Sequence, residues 1–372
     1  MIRYSEQLIE QSDIEAVVSA LKSPFLTQGP KIEEFEQDFA NFVGSGSAIA
    51  VCNATAALHL AYLSLGVSTG DLVWTVGNTF VSTSSAARYC GASIDFVDIS
   101  LSTYNICVDS LKEKLQSADA KPKVLTVVHF AGRPCPMKEI KKLCDQYDIK
   151  VIEDASHAVG ARYLGQSIGN CKYSDVSVFS FHPVKIITTA EGGMICSNDK
   201  NIISMVKKLR SHGIERSSEK QWYPSQEIVG FNYRMTEIQA ALGISQLKKI
   251  ESFQRKRDEI HSQYRKELND LNVTLPLDDD EDYYSAKHLY VILLKKRDED
   301  YRNRILQTLL DNGVGANLHY YPTYRLKNFR RTFSNFPNNE DYFKRALTIP
   351  CSITMTNDDI KKVINELKKC LK

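Results

Sequence analysis

Short apolar runs alternate with helix-patterned stretches through the first two-thirds of this 372-residue chain, and no other feature limits its available folds as much. The runs span Ala48 to Cys52, Ser93 to Asp98, Val124 to His129, Lys150 to Glu153, Asp175 to Phe179 and Gly193 to Cys196. Helical stretches such as Ala54 to Leu65 and Met137 to Tyr147 separate them. A strand returned by a helix lies parallel to its predecessor, so the pattern predicts an α/β fold, a large mostly parallel sheet with helices on both faces. In such sheets ligands gather beyond the carboxyl ends of the strands, which makes the residues just after each run the ones to read. From Met235 to about Leu268 the pattern is helical nearly throughout. After the acidic loop Asp278 to Asp282 comes a smaller α+β segment: strand His288 to Leu294, helix Tyr301 to Asp311, strand Gly315 to Tyr320 and closing helix Asp358 to Leu371. The expected division is therefore a large unit over 1–250, with an N-terminal arm carrying a helix from Asp13 to Leu21, and a small C-terminal α+β unit over 251–372.

Composition removes several functional classes. With 47 basic and 45 acidic residues the net charge is only +2, which gives no polyelectrolyte attraction to nucleic acid or to an anionic membrane. The most basic stretch, Leu247 to Arg257, is interrupted by Glu251 and followed by Asp258 and Glu259, the pattern of a solvated helix face. The nine cysteines are scattered and never form a C-x-x-C pair, as expected of thiols in a reducing compartment. His129, Cys135 and Cys144 have no metal-ligand spacing, and no metal site is expected. The opening residues Met1 to Ser5 carry no leader pattern and no apolar run reaches membrane-spanning length, so a cytoplasmic location is expected.

Chemistry concentrates in three places. The strand ending at Glu153 and Asp154 is followed by His157. A carboxylate facing a pyridine nitrogen keeps it protonated, so that the ring accepts the electrons released when a neighbouring C–H bond breaks; pyridoxal 5′-phosphate (PLP) chemistry needs such an acid. Asp154 would equally serve as the cap of the next turn, and His157 as an ordinary buried histidine. The second place is Lys185, set between an apolar strand containing Ser180 and a Thr/Gly-rich turn that ends at Gly193. A lysine that condenses with an aldehyde must be held unprotonated by desolvation and neighbouring charge, and this setting fits, although a surface lysine on a loop would read the same. Third, Asn53, Ala54 and Thr55 turn a strand into a helix, offering free N–H groups and a positive dipole end to a phosphate, or simply an N-cap. Phe80 follows another strand run and is placed either to cover a ring or to pack in the core.

Together, Glu153 to Ala158, Phe179 to Lys185 with Thr188 to Gly193, and Gly230 to Gly243 resemble the DegT/DnrJ/StrS family over essentially the whole chain. These are nucleotide-sugar aminotransferases of PLP fold type I, the aspartate aminotransferase-like fold. The resemblance implies Lys185 as the Schiff-base lysine, Asp154 as the partner of the pyridine nitrogen, His157 near the cofactor 3′-oxygen, Phe80 stacked on the ring, and Ala54, Thr55 and Ser180 around the phosphate. It implies further that Asn232 reaches the phosphate of a neighbouring subunit, hence a homodimer with shared sites, and it sets Arg234 toward the carboxylate of the amino donor, L-glutamate. Within the family, Arg3 to Ser5, Phe25 to Gly29, Val128 to Gly132 and Asn317 to Pro322 are similar to the branch that aminates a UDP-linked 4-keto-6-deoxy sugar of the pseudaminic acid pathway. By that similarity Tyr4, the loop Pro24, Phe25, Leu26 and Thr27, and Asn317, Leu318, His319 and Tyr320 would meet the nucleotide-sugar. Asn53 stands where many relatives carry Ser, and Ala190 where many carry Gly. Other keto sugars, UDP-D-, GDP- or dTDP-linked, remain open at this point, as does a PLP- or sugar-binding protein without turnover.

Overall fold

In the computed structural model, residues 1–216, 222–330 and 335–371 are described. The expected central sheet is present, with seven strands in the order β1-β9-β8-β5-β4-β2-β3. They are β1 (Ser47–Val51), β2 (Leu72–Val76), β3 (Ser93–Val97), β4 (Val124–Val128), β5 (Lys150–Asp154), β8 (Val176–Ser180) and β9 (Gly193–Ser197). Only β9 runs against the others, pairing antiparallel with both β1 and β8. Between β5 and β8 the chain makes a small hairpin, β6 (Arg162–Tyr163) and β7 (Gln166–Ser167), which is extended by β13 (Tyr283–Tyr284). A short ribbon, β10 (Ile214–Arg216) with β11 (Pro224–Gln226), stands apart from the sheet.

Alternation along the strands sends successive side chains to opposite faces, and each face has its own core. One core takes Ala48, Ala50, Trp74, Leu125 and Phe179. It also holds residues of α2 (Pro30–Val43), α5 (Val108–Ser117), α6 (Met137–Asp145) and α8 (Glu237–Leu247). The other core takes Ile49, Val51, Val73, Ile152 and Ile195, with α3 (Ala54–Ser64), α4 (Ser82–Tyr89) and α7 (Lys200–Arg210). Helix α1 (Gln11–Leu21) packs on α8. The remaining core is built on a three-stranded sheet of β12 (Val273–Thr274), β14 (Tyr290–Leu294) and β15 (Ala346–Ile349). Helices α9 (Ile250–Leu268), α10 (Glu299–Asp311) and α12 (Asn357–Leu371) supply its other apolar residues, while α11 (Pro337–Arg345) packs against α10 and β14. We propose the unit boundary at 250/251, where α9 begins.

The helical pattern expected over 235–268 is present as two helices, with α8 closing at Lys248 before α9 begins. One expectation is corrected. The stretch Gly315 to Tyr320 is not a strand: single bridges from Val314 to Ile2 and from Asn317 to Thr348 anchor it. Beyond Asn317 its side chains turn into a cavity rather than alternate across a sheet. Among the described residues, no helix is long and apolar enough to cross a membrane.

Glu237 ties the start of α2 to α8. Its carboxylate, 1% exposed, accepts the backbone N–H groups of Gly29 at 3.1 Å, Lys31 at 2.8 Å and Ile32 at 3.1 Å, satisfying the free N-terminus of α2 from another helix. Replacing Glu237 with alanine strands these donors and is expected to cost about 2 kcal/mol, read as a lower denaturant midpoint; an unchanged midpoint would remove this role.

Candidate active site

A cavity of about 900 Å³ opens at the carboxyl ends of the parallel strands. Strand β5 delivers Asp154 to it, 4% exposed. One carboxylate oxygen accepts the Thr83 hydroxyl at 2.7 Å; the other accepts the Ser156 hydroxyl at 2.6 Å and the Ser156 backbone N–H at 3.2 Å. Thr83 is itself 2.8 Å from the Thr79 hydroxyl, so with Thr83 donating to the acid, Thr79 donates to Thr83. Asp154 therefore does cap its turn through Ser156, and it also faces the cavity.

Lys185 lies in the turn between β8 and β9, lines the same cavity, and has no hydrogen-bond or ion-pair partner for its amine among the described residues. Burial brings its ammonium down to about 8, against the opposing pull of Asp154, which favours the charged form. The amine thus deprotonates near neutrality, as a nucleophile or proton carrier must.

Asn53 caps α3, its side chain accepting the Ala56 N–H at 2.8 Å, which leaves Ala54 and Thr55 as the first helical residues on the cavity wall. Strand β9 presses on this turn: a Cβ added to Gly193 would come within 2.7 Å of the Asn53 carbonyl carbon and 2.8 Å of the Ala54 nitrogen, so only glycine permits the approach. Ser180, buried at the end of β8, lines the same wall. The result is an anion cradle of helix N–H groups and hydroxyls. Phe80, 58% exposed, overhangs the cavity with its ring centroid 6.2 Å from that of Tyr320.

The opposite wall is the strand-like stretch of the small unit. Asn317, Leu318, His319 and Tyr320 line it, with Tyr4 of the N-terminal arm packing on His319 at 5.2 Å between ring centroids. His319 accepts or donates at Thr348 Oγ1, 2.9 Å away, and burial holds its imidazole at about 3. His157 lies between the walls: its Nδ1 accepts the Ala131 N–H at 3.3 Å and its Nε2 is 3.0 Å from Tyr320 Oη. Burial and the adjacent Lys185 keep His157 well below the ordinary histidine range.

Six residues named from the sequence lie outside this cavity: Pro24, Phe25, Leu26, Thr27, Asn232 and Arg234. Phe25 and Leu26 are exposed, and Thr27 pairs with Thr236. Arg234 faces a separate depression near Lys207 and Arg210. Conversely, the cavity contains residues that sequence reasoning passed over, among them Thr79, Tyr89, Glu191, Tyr233 and His288. The hydroxyl run Thr79 to Ser84 just beyond β2 was an available signal for the support of Asp154; His288, inside an apolar run, offered none.

A model of the DegT/DnrJ/EryC1/StrS aminotransferase family matches residues 7–368. The UDP-4-amino-4,6-dideoxy-N-acetyl-beta-L-altrosamine transaminase of Campylobacter jejuni subsp. jejuni serotype O:23/36 (strain 81-176) is 40% identical over 371 residues, covering 99% of this chain and 96% of its own. Among solved structures, Helicobacter pylori PseC, an aminotransferase involved in the biosynthesis of pseudoaminic acid, superposes with TM-score 0.93 at 30% identity, covering 100% of this chain and 99% of that one. The Streptococcus pneumoniae protein Spr1654 in its PLP-form gives TM-score 0.92 at 27% identity over 99% of this chain and 98% of its own.

The opposed influences on Lys185 give a test that needs no ligand. In the free protein, the rate at which an amine-directed aldehyde with reductant labels Lys185, followed by peptide mass spectrometry, is expected to rise through a midpoint near pH 8. Asp154→Asn removes the charge that favours the ammonium and moves that midpoint lower; a midpoint that stays put or rises contradicts the assignment.

Proposed function

The chain belongs to the DegT/DnrJ/EryC1/StrS aminotransferase family, and from that premise we propose that it moves the amino group of L-glutamate to the C4 keto group of UDP-2-acetamido-2,6-dideoxy-β-L-arabino-hexos-4-ulose. The product is UDP-4-amino-4,6-dideoxy-N-acetyl-β-L-altrosamine, the sugar named for the Campylobacter relatives at 40% and 39% identity. The observation that carries the reading is the joint presence, in one cavity, of a lysine held near neutrality and a buried carboxylate.

Pyridoxal 5′-phosphate is the cofactor, and the residues fit it. Asp154 has three of its acceptor positions filled by Thr83 and Ser156, which leaves room for one more N–H, such as that of a pyridinium. The α3 N-terminus, pressed open by the close approach of Gly193, suits a phosphate. When bound, this cofactor supplies an aldehyde that condenses with amines and a pyridinium ring that takes up electrons released at the adjacent carbon.

The chain's own residues then divide the work. Lys185 Nζ, held near neutrality by burial, takes the proton from the donor's Cα and later returns one to C4 of the sugar. Asp154 would hold the ring nitrogen protonated, Phe80 would cover the ring, and Ala54, Thr55 and Ser180 would hold the phosphate. Tyr4, Asn317, Leu318 and His319 form the sugar-facing wall. Asn232, with the exposed loop Pro24 to Thr27, completes the cavity of a second copy, so the active form is a homodimer; the position of these residues on the outer surface supports this. Arg234 serves the donor carboxylate at that shared edge. The nine cysteines, all unpaired, support a cytoplasmic setting.

Protein supplied with PLP, glutamate and a panel of UDP-, GDP- and dTDP-linked ketones is expected to form an amino sugar from the UDP-β-L-arabino ketone, detected by mass spectrometry with stoichiometric 2-oxoglutarate. Preference for another ketone would overturn the substrate assignment. Lys185→Ala is expected to slow both half-reactions by about a thousandfold or more; a variant that completed them normally would overturn the role of the lysine.

A further inference from the structure

Replacing the oxygen of a ketone with nitrogen requires proton transfers at two different atoms. Lys185 serves the carbon. The oxygen leaves as water, gaining two protons while the attacking amine gives up two, and no electrons are exchanged; a second group must carry these protons.

The cavity contains one phenol whose proton direction is fixed by its neighbours. The turn 130–132 is wedged between the two units, since a Cβ on Gly132, at φ +97, would come 3.0 Å from the His157 carbonyl oxygen and 2.9 Å from the Lys287 nitrogen. That wedge sets the Ala131 N–H against His157 Nδ1 at 3.3 Å. A ring nitrogen that accepts carries no proton, and the buried ring is neutral, so its single proton sits on Nε2. Nε2 lies 3.0 Å from Tyr320 Oη, which must therefore accept. The phenol's own proton is consequently directed away from His157. The described residues offer its oxygen no other protein partner, and Tyr320 borders the cavity shared with Lys185. Phe130, at 6.1 Å between ring centroids, and Phe80, at 6.2 Å, flank the tyrosine ring. Burial pushes the phenol well above the ordinary tyrosine range, so it enters any reaction protonated.

We propose that Tyr320 is a further catalytic residue, whose O–H carries protons to and from the oxygen of the reacting keto group, and that His157 is the positioning residue that aims it. The proposal rests on the aminotransferase reading above. As the carbon–nitrogen bond forms, Tyr320 gives its proton to the ketone oxygen, the His157 Nε2–H holds the phenolate, and the phenolate recovers a proton from the nitrogen. A second passage of the same kind breaks the carbon–oxygen bond and releases water. The reverse sequence admits water when 2-oxoglutarate is released.

Two measurements test this. In the cofactor-free protein labelled with ¹⁵N-histidine, NMR is expected to show His157 as the neutral Nε2-protonated tautomer from about pH 6 to 8; a charged or Nδ1-protonated ring overturns the proposal. In single-turnover experiments, Tyr320→Phe, which keeps the ring contacts, is expected to slow the glutamate half-reaction about a hundredfold with little change in apparent affinity. The isotope effect from glutamate deuterated at Cα should shrink as the oxygen step becomes limiting. His157→Ala should slow the reaction comparably, and adding it to Tyr320→Phe should cost little more, because the one acts through the other. Wild-type rates in Tyr320→Phe, or effects that multiply in the double variant, overturn the proposal. The glutamate half-reaction needs no sugar and the tautomer needs no cofactor, so a wrong substrate assignment leaves both tests standing.

Discussion

The parallel pairing of β5 with β8, in which Asp154 stands opposite Val178, is the constraint on which the site depends. It puts the carboxyl ends of two adjacent strands at one edge of the sheet, so an acid closing the first and a lysine in the turn after the second open into one cavity. The chain between them leaves in the β6–β7 hairpin and comes back without disturbing that register. Reversal at β9 then returns the backbone alongside β8 and drives Gly193 against the start of α3, so a helix N-terminus joins the same edge. Sheet topology thus assembles an acid, an amine and an anion cradle from residues far apart in sequence.

What the sheet assembles, hydrogen bonding and burial tune. Asp154 is one member of a hydroxyl chain running from Thr79 through Thr83, with Ser156 on its other oxygen, and this fixes the carboxylate in place. Enclosure of Lys185 opposes the attraction of that same carboxylate, and enclosure prevails, leaving the amine close to neutrality. Between the two walls, a backbone amide decides which nitrogen of His157 bears the proton. Each device uses a neighbour that is itself immobilised, which is how a polar site keeps its geometry before anything binds.

Six of the seven strands of the sheet were readable because β-rich runs and helical periodicity alternate cleanly, and their observed ends fall within a residue or two of expectation, as at Val124–Val128 and Lys150–Asp154, whereas β2 was legible only as a run without bounds before Phe80. Asp154 and Lys185 stood out because they come at and after the ends of two strand runs, and the fold brings both to one cavity. The segment Gly315 to Tyr320 misled because its alternation of polar and larger residues imitates a strand, while tertiary bridging holds it at isolated points only. His288 was invisible: a histidine at the head of an apolar strand reads as core, and only the fold shows its ring 4.5 Å from that of His157. The hydroxyl of Thr83 was hidden for another reason, since its acid lies on a strand far along the chain. Asn232 and the loop Pro24 to Thr27 carry motif residues without lining this cavity, because a motif records a chemical type and not where the fold places it.

Whether Lys185 is the amine that binds the cofactor covalently is read by reducing the PLP-loaded protein with borohydride, digesting it and sequencing the labelled peptide by mass spectrometry. One phosphopyridoxyl group per chain, on Lys185, is expected. A label on a different lysine, or protein that takes up the cofactor and yields no label at all, would contradict it.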